Sequence, residues 1–164
     1  MASLASHRVR AVVSAALDGL VVGGAEAALD QPPRTWARHR VYLALGAAVA
    51  TETVLRELPA LRRVVRGLPA VPADPRDETA RLHQGLVTTG WGLAVTMADG
   101  PIARVLRRRD VGRPHLLIGV AVGVATAATT LPVWWRRAGL KAAEDQAAAE
   151  LDAEFEQLLG PTAG

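Results

Sequence analysis

The sequence of 164 residues contains no cysteine and no asparagine, and it has a single lysine beside eighteen arginines. Without cysteine there is no disulfide, no thiolate metal site and no cysteine nucleophile. The four histidines are spread too widely to suggest a zinc site: His7, His39, His83 and His115. The composition therefore predicts neither a metal ion nor another cofactor.

Catalytic and nucleic-acid-binding motifs are also missing. The chain has no GxSxG elbow, no GxxxxGK[ST] phosphate loop and no HExxH pair. The glycines of residues 19–24 lie within an apolar helical pattern and not after a strand, so they do not form a dinucleotide loop. The arginines have no aromatic platform or base-reading motif beside them. We therefore expect no enzymatic activity and no binding to nucleic acid.

Residues 114–135 form an uncharged run of 22 positions. As a helix rising about 1.5 Å per residue it spans roughly 33 Å, enough to cross a hydrocarbon core of about 30 Å. Aromatic and basic residues that suit a membrane interface close this run: Trp134, Trp135, Arg136 and Arg137. The run predicts a transmembrane helix with these four residues as its interfacial anchors.

Three other apolar runs are weaker. Residues 82–98 lack charge for 17 positions, residues 41–51 for only 11, and the first run contains Asp18. One central aspartate costs about 2.5–3.5 kcal/mol on insertion, which nearly cancels what the apolar residues of the first run contribute. A cleavable signal peptide is an alternative interpretation of this first run, although an aspartate suits it poorly.

An internal repeat links the weak runs to the strong one. When residues 8–63 are set on residues 81–136 without a gap, 15 of 56 positions are identical, where roughly five are expected by chance. Glu26 falls on Asp99, so a carboxylate is kept. The weak runs then share the environment of their counterparts. We predict an all-α integral membrane four-helix bundle, built from two parallel, duplicated helical hairpins.

The repeat also sets the expected boundaries. The first hairpin occupies residues 1–63, with helices at about 8–28 and 41–58, and a proline-rich linker follows at 64–80. The second hairpin occupies residues 81–137, with helices at about 81–99 and 114–135. Basic residues slightly favour a cytoplasmic position for both termini. The arginine- and alanine-rich composition is typical of a GC-rich bacterial gene, which predicts the bacterial cytoplasmic (inner) membrane.

Residues 138–164 differ from the rest in charge. This tail has one basic and six acidic side chains, whereas residues 1–137 have 18 basic and 10 acidic ones. Apolar side chains recur along one stripe of the tail, which predicts an amphipathic acidic helix. Anionic headgroups would repel this helix, so we expect it to lie off the bilayer, either in contact with the basic body, a second copy or a cytoplasmic partner or simply as a solvated helix.

Small residues mark the faces on which the helices are expected to pack. Gly19 and Gly23 share one face of the first helix, and Gly92 occupies the matching position in the third. Gly119 and Gly123 share a face of the fourth helix. Small side chains let helices approach closely in lipid, where no hydrophobic force drives them together.

Four carboxylates lie inside or at the edge of the apolar runs: Asp18, Glu26, Glu52 and Asp99. An ionisable group at membrane depth is a functional candidate by default, and Asp18 is the deepest. In the structural interpretation, Glu26 and Asp99 lie near helix ends, within reach of water or loop arginines. In that interpretation Glu52 pairs with Arg56 one turn later. The sequence leaves both interpretations open.

These features lead to three functional hypotheses. The favoured one is a small, non-catalytic multi-pass membrane protein acting as a scaffold or accessory subunit. Its partners would be the lipid bilayer, a second copy or another membrane protein, and a cytoplasmic protein at 138–164. The second hypothesis is a small proton, cation or solute transporter or channel that uses the intramembrane carboxylates. The third is a soluble helical bundle, which Asp18, Glu52 and the short run 41–51 also fit.

Overall fold

The computed structural model describes residues 3–68 and 75–159, and within them the chain is all-α and about 90% helical, without a strand. Four α-helices follow one another: α1 (Leu4–Ala27), α2 (Trp36–Val65), α3 (Pro75–Arg107) and α4 (Pro114–Leu159). A short 3-10 helix, Ala28–Asp30, extends α1. The prediction of an all-α chain is confirmed.

Polar side chains begin three of the helices. Ser3 accepts a hydrogen bond from the backbone N–H of Ser6 at the start of α1, and Thr35 accepts one from Arg38 at the start of α2. Helix α4 begins with a proline, and the Asp30 carboxylate accepts the backbone N–H groups of the next two residues. This last cap ties the loop between α1 and α2 to the start of α4.

The helices extend beyond their predicted bounds. Helix α2 continues through Pro59 to residue 65, and α3 continues through Pro101 to residue 107. Helix α4 continues through Pro132 and joins the predicted transmembrane segment to the acidic tail. A proline removes only one intrahelical hydrogen bond, and a long helix can pass through it when neighbouring groups compensate. Residues 69–74 of the predicted linker and 160–164 of the tail lie outside the described residues.

Helix α4 is the centre of the bundle. Helix α1 packs along it most extensively and in the antiparallel direction, and α3 packs on another part of its surface. Helix α2 packs on α1 and on the 3-10 helix, and none of its residues is buried. In the described residues, α2 and α3 do not approach each other at the level of the backbone.

The interior consists mostly of small and polar side chains. One buried cluster holds Ala11, Ala15, Trp134 and Ala138, and a second holds Val95, Ala103 and Ile118. Several polar or charged residues are buried with them: Ser14, Glu26, Asp77, His115, Thr126, Thr130 and Arg137. Large apolar side chains instead point outward from every helix. They include Leu20, Leu43, Leu55, Leu86, Leu93, Met97 and Val124.

Two helices are long and apolar enough to cross a membrane. They are α1 with its 3-10 extension, Leu4–Asp30, with a mean hydropathy of 1.6, and Pro114–Phe155 of α4, with a mean hydropathy of 2.0. Only 33% and 28% of their most apolar stretches are buried, respectively. The other residues of these stretches are partly or fully exposed.

The two hairpins do not make equivalent contacts within one chain. Gly19 and Gly119 lie where α1 crosses α4. Their counterparts in the repeat, Gly92 and Gly46, have no atom within 4 Å of the position that a Cβ atom would occupy. The contact between α1 and α4 therefore has no counterpart between α3 and α2.

Candidate functional site

Four of the five predicted packing glycines meet where α1 crosses α4. A Cβ atom on Gly19 would overlap the carbonyl oxygen of Gly123, and one on Gly23 would overlap that of Gly119. The backbones of the two helices are therefore in direct contact, as in close GxxxG crossings. Gly92 lies on α3, away from this crossing.

Asp18 lies at a junction of three helices. Its carboxylate accepts the indole N–H of Trp134 on α4 at 2.7 Å. It also accepts the Gln84 side-chain amide on α3, at 3.1 Å and 3.2 Å to its two oxygens. Neutral N–H donors thus satisfy this carboxylate inside the bundle.

Glu52 lies closer than Asp18 to the N-terminal end of α1, and its partners are a hydroxyl and a guanidinium. The Ser14 hydroxyl donates to one of its carboxylate oxygens at 2.9 Å, and Arg56 donates to the other. The guanidinium of Arg56 also lies 4.7 Å from the centre of the Trp134 ring. The pairing of Glu52 with Arg56, one turn apart, is the one that their spacing predicts.

Glu26 and Asp99 converge on one histidine. His115 Nδ1 lies 2.9 Å from Glu26 Oε1 and 2.8 Å from Asp99 Oδ1. The exposed fractions of the side chains are 5% for Glu26, 10% for His115 and 21% for Asp99. We call these three residues the acid–histidine cluster. It joins the last turn of α1, the middle of α3 and the first turn of α4.

Two further charged residues border this cluster. Asp30 caps α4 at the backbone N–H groups of His115 and Leu116, at 3.2 Å and 2.7 Å. The guanidinium of Arg107 lies 3.4 Å from His115 Nε2. Because arginine can only donate, this contact is a hydrogen bond in the tautomer with the ring proton on Nδ1, and in that tautomer the N–H faces the two carboxylates.

The four predicted carboxylates do not form one polar path through the bundle. Asp18 and Glu26 are eight residues apart on α1, which separates them by about 12 Å. Buried apolar side chains occupy the helices between these two levels: Val22 on α1, Val95 on α3 and Ile118 on α4. The structure brings Glu26 and Asp99 together and leaves Asp18 and Glu52 in separate polar clusters.

A cavity of about 480 Å³ opens beside Glu52, between the start of α1, the end of α2 and the middle of α4. Its cationic side chains are Arg10, Arg56, Arg63, Arg81, Arg137 and Lys141, and its carboxylates are Glu52, Glu57, Glu144 and Asp145. Several of these charges pair with one another, such as Lys141 with Glu144. Pairing between these side chains therefore offsets much of the charge on the cavity walls.

A buried ion pair that sequence reasoning missed lies beside the cavity. Arg137 Nε donates to Asp77 Oδ1 at 2.7 Å, and Arg81 Nε donates to Asp77 Oδ2 at 3.0 Å. Burial raises the pKa of Asp77, but hydrogen bonds and positive charge from Arg137 outweigh it, helped by Lys141 and Arg81. The pKa of Asp77 therefore lies below its usual value of 3.8.

The predicted interfacial anchors divide between the inside and the outside. Trp134 and Arg137 are 6% and 3% exposed and lie inside the bundle. Trp135 and Arg136 are exposed. The reason is helical geometry, because residues three apart share a face whereas adjacent residues point about 100° apart.

The acidic tail packs on its own chain. Asp145 lies 3.0 Å from His7 Nε2 of α1, and Asp152 accepts two hydrogen bonds from Arg63 of α2, at 2.7 Å and 2.8 Å. The Arg63 guanidinium holds the pKa of Asp152 below its usual value. Of the three contacts expected for the tail, the structure shows the one with the basic body.

Sequence reasoning found the carboxylates but missed most of their partners. Gln84, Ser14 and His115 come from other helices, 38 to 89 positions away along the chain. The sequence did contain one indication of the acid–histidine cluster. The repeat aligns Glu26 with Asp99, and His115 lies at the start of the strongest apolar run.

No protein-family model, curated protein or solved structure matches this chain.

Proposed function

We propose that this chain is an integral membrane protein whose four helices cross the bilayer and whose role is non-catalytic, as a scaffold or accessory subunit. The observation that carries the proposal is the distribution of side chains. Small and polar residues fill the interior, while leucine, valine and methionine cover the outside of the helices. Lipid is the solvent that suits such a surface.

Exposing this apolar surface to water is energetically unfavourable. Moving a leucine or valine side chain from water into an apolar environment is favourable by about 1.5–3 kcal/mol. Leu43, Leu86 and Leu93 are more than half exposed in the middle of their helices, as are many similar residues. A soluble bundle would bury these side chains, so the distribution favours the membrane protein over the soluble alternative.

The pairing of polar groups supports a membrane position for α2 and α3. A charged group inside lipid needs partners within the protein. Asp99 of α3 faces His115, and Glu52 of α2 faces Ser14 and Arg56. The sequence repeat adds independent support, since α2 and α3 match the two helices with the strongest apolar runs.

We place the protein in the bacterial cytoplasmic membrane with both termini in the cytoplasm. The start of α1, the end of α2 and the tail of α4 share one end of the bundle, because ion pairs join them there. The chain lacks cysteine, so single cysteines can report this orientation. In intact bacterial cells an impermeant maleimide should label Gly112→Cys, whereas Ala153→Cys should react only after lysis. The reverse pattern would invert the orientation.

Alkaline carbonate extraction tests the membrane proposal. Peripheral and soluble proteins leave the membrane at high pH, whereas helices embedded in lipid remain. We expect the full chain to stay in the pellet after carbonate treatment and to enter solution only with detergent. Release into the carbonate supernatant would contradict the proposal.

We further propose that the scaffold assembles with a second copy of itself through α2 and α3. Gly46 and Gly92 are the counterparts of two glycines that hold α1 against α4, yet nothing covers them in the described residues of one chain. Packing α3 of one copy on α2 of the other would bring Gly92 and Gly46 into one contact, less close than the crossing of α1 and α4 because Thr96 and Ala50 stand where that crossing has Gly23 and Gly123. This arrangement is two-fold symmetric and closes on itself.

Bulky substitutions at these glycines test the assembly. In detergent, the wild-type chain should be dimeric by light scattering corrected for bound detergent. Gly46→Leu combined with Gly92→Leu should give monomers. Gly90→Leu, also on α3 with open space around it, should remain dimeric. A monomeric wild-type chain would contradict the assembly without bearing on the membrane proposal.

Transport is the second candidate, and the half-buried Asp18 favours it, since a carboxylate midway along an apolar helix can carry a proton. The apolar layer between Asp18 and Glu26 makes the scaffold the better-supported proposal. In liposomes, carboxylate-dependent flux of protons or cations should vanish in Asp18→Asn and persist in Asp145→Asn. Absence of flux, or equal flux in the two variants, would remove this candidate.

A further inference from the structure

We propose that the acid–histidine cluster, Glu26, Asp99 and His115, binds one divalent transition-metal ion. This inference goes beyond the scaffold role and does not depend on it. The histidines are scattered in the sequence, and only the folded chain brings one of them to two carboxylates.

The positions of the ligand atoms suit a single ion. One ligand atom from each residue lies within 4.8 Å of the other two, and the imidazole nitrogen lies 2.8 Å and 2.9 Å from the two oxygens. Ligands held about 2.1 Å from a metal ion lie roughly 3.0–3.4 Å apart in octahedral or tetrahedral coordination. Widening each nitrogen–oxygen separation by a few tenths of an ångström would therefore bring it to about the spacing of metal ligands.

The cluster also has more acceptors than protons. His115 Nδ1 carries one hydrogen at most, and Glu26 takes it in a hydrogen bond of 2.9 Å. Asp99 Oδ1 lies equally near but is fully buried and has no hydrogen-bond partner. A buried carboxylate oxygen left in this state is unfavourable, and a cation bound between the three groups removes the deficit.

The types of ligand atom indicate the class of metal. Imidazole nitrogen with two carboxylate oxygens suits Zn²⁺, Co²⁺ or Mn²⁺. Mg²⁺ and Ca²⁺ prefer oxygen ligands alone, and the absence of a thiolate disfavours Cu⁺. The three side chains leave the remaining coordination positions for water.

Replacing Arg107 distinguishes a metal site from a cluster of ion pairs, because the two interpretations predict opposite effects. Its guanidinium faces His115 Nε2 at 3.4 Å. A metal on Nδ1 moves the ring proton to Nε2, which then repels arginine, and the positive charge also opposes a dication nearby. Removing this charge should therefore strengthen metal binding, whereas it would weaken a cluster held together only by ion pairs.

The first experiment titrates Zn²⁺ and Co²⁺ into the full chain, purified in detergent, freed of any histidine tag and stripped with a chelator. Calorimetry and the visible absorption of Co²⁺ should show one ion bound per chain, unaffected by excess Mg²⁺. Glu26→Gln, Asp99→Asn and His115→Gln should each raise the Kd at least about tenfold, since even residues supporting a ligand have effects of that size. Glu52→Gln, which alters a paired carboxylate in another cluster, should leave the Kd unchanged.

The second experiment measures Arg107→Gln in the same way, and we expect its Kd for Zn²⁺ to fall by about tenfold. Circular dichroism identifies any ligand variant that fails to fold. In that case the wild-type stoichiometry and the Kd of Arg107→Gln still test the proposal. The proposal is overturned if the wild-type chain binds no ion, if Glu52→Gln weakens binding as much as the cluster variants do, or if Arg107→Gln weakens it.

Discussion

Asp77 and Arg137 form a charged pair inside the bundle, where the exposed fractions of their side chains are 8% and 4%. Asp77→Asn keeps the shape but leaves a buried guanidinium without its counter-charge, which costs about 3–5 kcal/mol in comparable pairs. We expect a large drop in thermal stability in detergent. Glu57→Gln is the control, because Glu57 contacts Arg81 only at 3.9 Å and both are about half exposed. If the two variants melt alike, the pair does not stabilise the fold.

The same pair predicts a dependence of stability on pH. Asp77 lies outside the expected membrane segment of α3, and its pKa in the folded chain is below the usual 3.8. The unfolded chain therefore binds a proton at higher pH than the folded one, so the contribution is complete at neutral pH. It is lost as the pH falls below about 4 toward the lowered pKa. The difference in melting temperature between wild type and Asp77→Asn should shrink as the pH falls below about 4, and a constant difference would contradict this.

Single residues were the hardest part of the site to predict. The sequence identified Asp18, Glu26, Glu52 and Asp99, because a charged residue within an apolar run can be recognised without knowing the fold. It did not identify His115 as their partner, since contacts between distant residues depend on how the helices are rotated against one another. The inward position of Trp134 was missed for the same reason.

At the scale of helices, the crossing of α1 over α4 depends on glycine. Gly23→Ala puts a methyl group where the carbonyl oxygen of Gly119 lies, so the helices must separate. We expect a loss of about 1–3 kcal/mol, typical of overpacking. Gly90→Ala introduces the same methyl group into open space and should leave stability unchanged or raise it by up to about 1 kcal/mol. Thermal unfolding in detergent compares them, and equal behaviour would rule out a tight crossing.

Docking of the acidic tail is a separate contact between helices. Asp152→Asn removes the carboxylate that accepts two hydrogen bonds from Arg63. Backbone hydrogen exchange should quicken across residues 144–159, and the melting temperature should change little because this pair is only partly buried. A higher salt concentration should also quicken hydrogen exchange in the tail of the wild-type chain, because salt screens the ion pair. Glu154→Gln, at an exposed position of the same helix, should not change the exchange. Equal exchange in both variants would show that the tail is held by other contacts.

Helix positions followed from the apolar runs, but helix ends did not. The expected breaks at Pro59, Pro101 and residue 135 are absent, and α4 alone contains 46 residues. Proline marks a helix end only on average, and packing on both sides of it can retain the helix. Because α4 is continuous, the tail lies against the start of α1 and the end of α2, which is the contact with the basic body that its charge predicts.

For the whole molecule, the all-α class was predicted correctly, and two of the four predicted spans are long and apolar enough to cross a membrane. The repeat suggested two equivalent hairpins, yet α1 packs on α4 while α2 and α3 stay apart in the described residues. Sequence similarity sets which residues face a neighbour but does not say whether that neighbour belongs to the same chain. A second copy supplies the missing contact under the proposed assembly.

The central claim is that lipid surrounds all four helices, and cysteine accessibility tests it most directly. Leu43→Cys on α2 and Leu93→Cys on α3 lie at outward positions, since the native side chains are 62% and 61% exposed. In native membranes opened on both sides, we expect a water-soluble maleimide to leave both unlabelled while it labels Gly112→Cys in a loop. Both should react after denaturation in detergent. Labelling of Leu43→Cys and Leu93→Cys as fast as Gly112→Cys would place these helices in water and contradict the account.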